Sequence, residues 1–129
     1  MIVLLDTSTP MCRLTLVDGE QQYDHEWQAD RGLARSLHAY LRDCLAEHGW
    51  TFSDITGIGA MKGPGSFTGL RIGLTVLNTL ADTLRVPIVG ATLSETWRQE
   101  ALGRLAADEN DTLVLPFYGR EANITKPRK

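Results

Sequence analysis

The sequence has little of what would staple, insert or strongly charge a protein. Two cysteines, Cys12 and Cys44, lie far apart in 129 residues, with no CxxC pair. That excludes a disulfide framework and a thiolate zinc site, and it fits reduced thiols in a cytoplasm. Long hydrophobic runs are missing as well. The N-terminal run from Ile2 to Leu5 stops at Asp6, too short for a secretory signal and far short of the eighteen or so apolar residues of a membrane span. A cytoplasmic chain away from membranes is therefore expected. No basic excess exists either, because 13 Lys and Arg against 16 Asp and Glu leave a net charge of −3. A dedicated nucleic-acid binder with a broad basic face is excluded by that balance. His25, His38 and His48 share no HxxxH-type ligand spacing and read as surface or packing residues.

What is present suffices for one core. A hydrophobic fraction of 43% and a charged fraction of 22% belong to an ordinary globule. A chain of 14.3 kDa buries roughly two thirds of its unfolded surface. The period of the apolar residues then sets the elements. Ile2 to Leu5 reads as a strand covered on both faces. Cys12, Leu14 and Leu16 alternate with Arg13, Thr15 and Val17, Asp18-Gly19 supplies a tight turn, and Tyr23, His25 and Trp27 alternate on the returning arm. From Arg31 the spacing changes to three and four, through Leu33, Leu37, Leu41, Cys44, Leu45 and His48, and Gly49 ends a helix. Ile55 to Met61 reads as a strand. A second helix follows the Gly63 to Gly69 loop, with one apolar seam at Phe67, Leu70, Leu74, Leu77, Ala81 and Leu84 and another at Ile72, Val76 and Leu80. Pro87 to Gly90 is a short strand, Thr92 and Glu95 form a capping box for a third helix, and Leu113 to Phe117 is a last strand. The order is α/β: a mixed sheet of five to six strands with helices on its faces.

Two places invite chemistry. Asp6, Thr7 and Ser8 end the first strand, where a carboxylate and hydroxyls could hold a nucleotide phosphate or an ion. The same residues equally make a turn that satisfies its own backbone. The loop Lys62-Gly63-Pro64-Gly65-Ser66-Phe67-Thr68-Gly69 precedes a helix, as phosphate cradles do. It fits neither GxxxxGK[ST] nor GxGxxG, Pro64 removes a donor, and a turn with Ser66 as N-cap accounts for it. Gly65, Gly69 and Gly73 then form a bare stripe, each glycine costing about 1 kcal/mol relative to alanine within a helix. Another backbone approaching closely would offset that cost, either the chain's own first helix or a helix of a partner. No Ser-His-Asp set or metal-ligand cluster appears. A helical interface suits the second apolar row, which a monomer would leave bare.

MIVLLDTST at the start, KGPGSFTGLRIGL in the middle and VPIVGATLSETW after it resemble the TsaB (YeaZ) family, over Met1 to about Trp97. The resemblance implies a ribonuclease H-like domain of the actin-like ATPase superfamily, spanning 1–118, with 119–129 a tail left from a second domain. It implies a non-catalytic subunit in making N6-threonylcarbamoyladenosine at position 37 of tRNA. Such a subunit binds and activates a TsaD-like transferase through its first two helices, as a four-helix bundle. A TsaE-like ATPase completes the assembly, and a homodimer forms when the partner is absent. ATP and a metal ion belong to the partner subunits, with no cofactor in this chain, and tRNA is met only indirectly. The expected partner-binding residues are Leu33, Leu37, Tyr40, Leu41 and Cys44 on the first helix. On the second they are Gly65, Ser66, Phe67, Gly69, Leu70, Gly73, Leu74 and Leu77. The sequence departs from the family at Leu33-Ala34, where His-Ser is frequent, and at Tyr118 to Glu121, where an Asp-Ala-Arg-like segment opens the second domain. The alternative function is a small nucleotide-binding phosphotransferase or hydrolase built on Asp6 and the Gly63 to Gly69 loop.

Overall fold

The computed structural model describes residues 1–29 and 32–118. Five strands form one mixed sheet: β1 (Ile2–Asp6), β2 (Met11–Asp18), β3 (Gln21–Gln28), β4 (Gly57–Gly63) and β5 (Ile88–Thr92), in spatial order β3-β2-β1-β4-β5. The first three pair antiparallel, as their short connections require, and β1-β4 and β4-β5 pair parallel. Crossovers between the parallel strands carry α1 (Leu33–Glu47) and α2 (Phe67–Leu84), and α3 (Trp97–Ala106) follows β5.

Alternation along the strands sorts the core into two layers. Val3, Leu5, Cys12, Leu14, Leu16, Ile58, Ala60 and Ile88 face one side, where α1 and α2 lie together and add Leu37, Leu41, Leu45, Leu74 and Leu77. Leu4, Met61, Val89 and Ala91 face the other side and meet Trp97, Ala101 and Leu105 of α3. The central strand β1 is therefore buried on both faces, as its unbroken apolar run demands. β3, at the edge, keeps Tyr23, His25 and Trp27 half-buried and turns Asp24 and Glu26 to solvent.

Several expectations shift. The hairpin residues are Gly19-Glu20 rather than Asp18-Gly19, because Asp18 pairs with Gln21 and Gly19 takes a φ of 62°. Residues 113–117 do not form a strand. Within that segment Phe117 donates one backbone bond to Lys62, while Val114 is held at both its N–H and its carbonyl by the side chain of Asn78, each at 2.9 Å. Pro116 has no N–H to give a ladder. Thr92 ends β5, so the expected capping box at Thr92 and Glu95 does not form; α3 starts from Thr96 without a side-chain cap. Arg31, proposed as the start of the first helix, and the tail from Gly119 onward lie outside the described residues. Among the described residues, no helix is long and apolar enough to cross a membrane.

Candidate partner-docking face

The carboxyl ends of β1 and β4 lie side by side, so the Asp6 turn and the glycine loop are neighbours. They occupy one another. Asp6 accepts from the Ser8 N–H at 2.8 Å and from the Ser8 hydroxyl at 2.6 Å. The Thr7 hydroxyl donates to the Gly69 carbonyl at 2.7 Å, and the Ser66 N–H donates to the Ser8 carbonyl at 2.7 Å. Ser66 caps α2, its hydroxyl accepting from the Gly69 N–H at 3.2 Å. The Asp6, Thr7 and Ser8 side chains thus make a turn that satisfies its own groups, and the Ser66 and Gly69 N–H groups at the start of α2 are already engaged. Among the described residues no group of three His, Cys, Asp or Glu could hold an ion.

The glycine stripe has the same explanation. A Cβ on Gly73 would strike the Thr7 side chain, one on Gly69 the Thr7 carbonyl, and one on Gly65 the Ser8 backbone. The close approach is that of the β1–β2 loop, not of α1 and not of a partner helix. Gly65, Gly69 and Gly73, expected at a partner interface, seat the chain's own β1–β2 loop. Burial corrects most of the rest. Leu33, Leu37, Leu41, Cys44, Leu70, Leu74 and Leu77 are all 6% exposed or less and belong to the core. Tyr40 stacks on Trp27 at 4.7 Å, and its hydroxyl is buried beside Cys44, with burial raising its pKa well above the ordinary value. Ser66 and Phe67 remain exposed at the start of α2.

The outward face is the other apolar row. Ile72 and Val76 stay half-buried because α1 covers them only in part. With exposed Ala34, Thr68, Arg71 and Thr75 they line an open groove of about 360 Å³ between α1 and α2. Its floor is aliphatic and its rim is threonine and arginine. The signal was in the sequence as the row Ile72, Val76 and Leu80; only Leu80 of the three is buried.

The family described as TsaD, tRNA N6-adenosine threonylcarbamoyltransferase, matches residues 27–121, about three quarters of the chain. The fold superposes on YeaZ from Pseudomonas aeruginosa with a TM-score of 0.68 and 31% identity, over 81% of this chain and 49% of that one. The Escherichia coli "tRNA threonylcarbamoyladenosine biosynthesis protein TsaB" is 29% identical over 111 residues, 82% of this chain and 48% of that protein. The chain belongs to the TsaB (YeaZ) family. A TsaB from Bacillus subtilis is 41% identical over 86 residues, 64% of this chain and 32% of its own length. The chain thus spans about half the length of the Escherichia coli TsaB and a third of the Bacillus one. KGPGSFTGLRIGL has its physical reason in this fold: it is the loop and first turns of α2 on which the β1–β2 turn of this chain is seated.

Proposed function

We propose that this chain is the non-catalytic docking subunit of an assembly that makes N6-threonylcarbamoyladenosine on tRNA, and that it holds a TsaD-like transferase by its α1–α2 face. The observation that carries this is the open aliphatic groove of Ala34, Ile72 and Val76 in a chain of this family. Two helices of the partner laid along it complete a four-helix bundle, burying Ile72 and Val76, which α1 covers only in part. The same face pairs two copies of this chain when the transferase is absent. The action is indirect: the buried face fixes the transferase in its productive arrangement. ATP, a metal ion and the activated threonylcarbamoyl group bind on the partner subunits, which include a TsaE-like ATPase, and tRNA is contacted through them. Engagement of Asp6, Thr7 and Ser8 by one another and by α2 supports a subunit without chemistry of its own.

Reconstitution tests it. With the TsaD-like and TsaE-like proteins of the same organism, ATP, Mg²⁺ and threonylcarbamoyl-adenylate, adding this chain should switch on modification of unmodified tRNA. This chain alone with the same reagents should form no product and hydrolyse no ATP. Turnover by the chain alone, abolished by Asp6→Ala, would instead establish the phosphotransferase or hydrolase alternative.

A further inference from the structure

Residues without a shared sequence motif meet at the far end of α1. His25 on β3 and His48, which closes α1, bring their Nε2 atoms to 3.0 Å, with ring centroids 5.3 Å apart and planes at 74°. The His48 ring is held by Tyr23 at 4.4 Å and Trp50 at 5.4 Å, and both imidazoles are half-buried, so they are fixed in place while open to solvent. Two imidazoles bound to one ion at about 2.0–2.1 Å place their nitrogens about 2.9 Å apart at a right angle and about 3.4 Å apart at the tetrahedral angle. The observed separation lies in that interval. The site also sits at a helix C-terminus, where the backbone carbonyls favour positive charge.

We propose that His25 and His48 form a two-imidazole site for a divalent transition-metal ion that prefers nitrogen ligands: Zn²⁺, Ni²⁺ or Cu²⁺. In the ion-free pair, one ring carries its proton on Nε2 and gives it to the lone pair of the other. With the ion bound, that ring holds its proton on Nδ1, both Nε2 lone pairs face the metal, and no net proton is released. Among the described residues no third His, Cys, Asp or Glu joins the pair, so water fills the remaining positions. The ion joins the edge strand to the end of α1. Because it binds only the folded arrangement, it stabilises the fold.

Tag-free protein is titrated with ZnCl₂ and NiCl₂ by calorimetry, and with CuCl₂ by quenching of tryptophan fluorescence. The expected result is a saturable one-to-one isotherm and a raised melting temperature. Both effects are lost in His25→Asn and in His48→Asn and kept in His38→Asn, where the ring packs instead on Phe52 at 4.9 Å. A readout independent of variant folding uses the wild type: the imidazole ring resonances of His25 and His48 broaden or shift with added metal, while those of His38 do not. The proposal is overturned by an absence of saturable binding, by binding that survives both Asn variants, or by perturbation of His38 in place of the pair.

Discussion

A glycine is usually argued from its backbone freedom; Gly73 matters for what it leaves empty. Thr7 fills that space, and its hydroxyl reaches Gly69 on the same helix face. Gly73→Ala improves local helix propensity by about 1 kcal/mol, but the added methyl drives Thr7 off its bond. The expected net loss is about 1–3 kcal/mol by urea denaturation; equal or higher stability would show that the contact does not hold the loop. Cys12 and Cys44 give a second test. Burial pushes the Cys12 thiol up to about 12, with Asp6 and Cys44 adding to the effect, and burial likewise raises Cys44. A raised thiol pKa stabilises the fold below the ordinary value of 9.0 and is lost as pH rises from there toward about 12. Ellman's reagent should thus find both thiols silent in native protein at neutral pH and reactive after unfolding, with native reactivity growing in strong alkali. Rapid reaction at neutral pH would contradict the packing.

Long apolar patterns were legible element by element, and short-range chemistry was less so. An unbroken apolar run placed β1, strand alternation placed β2 and β3, and the three-four spacing placed both long helices, because burial patterns act over many residues at once. The segment after α3 misled the reading because Leu113, Val114 and Leu115 look like a strand, yet a side chain takes the role of a neighbouring strand. Asn78→Ala leaves the N–H and carbonyl of Val114 without that partner, for a cost of about 1–3 kcal/mol. Faster proteolytic cleavage within 108–118 should accompany it, and unchanged cleavage would argue against the Asn78 clamp. The start of the same segment is tied to α3. Arg104 donates to Asp111, to Glu109 and to the Gly90 carbonyl, and the Gly90 N–H donates to Asp111 at 2.8 Å. Burial raises the Asp111 carboxyl, but Arg104 and the Gly90 N–H outweigh it and hold the carboxyl below its ordinary 3.8. That contribution is present above 3.8 and is lost as pH falls through the lowered value. The stability gap between wild type and Asp111→Asn should therefore close in acid; a constant gap would remove the ion pair from the account.

At the scale of the molecule, the site was half legible. Two apolar rows on α2 suggest a helical interface, and the structure leaves Ile72 and Val76 of one row half-buried. The spacing marks both rows as apolar without saying which of them the sheet claims. Leu70, Leu74 and Leu77 went to the core, and Ile72 and Val76 were left beside Ala34. His25 and His48 were illegible for a plainer reason: their pairing depends on the register of an edge strand against the end of a helix. The central claim is that the α1–α2 groove is where a TsaD-like transferase binds, and light scattering after size exclusion tests it most directly. Mixed with its own organism's TsaD-like protein, the wild type should run at the mass of a heterodimer or larger complex. The double variant Ile72→Asp and Val76→Asp, changing side chains half-buried in the groove, should stay folded by circular dichroism and run apart from the transferase. A variant complex as tight as the wild type, or a wild-type chain indifferent to the transferase, would contradict the account.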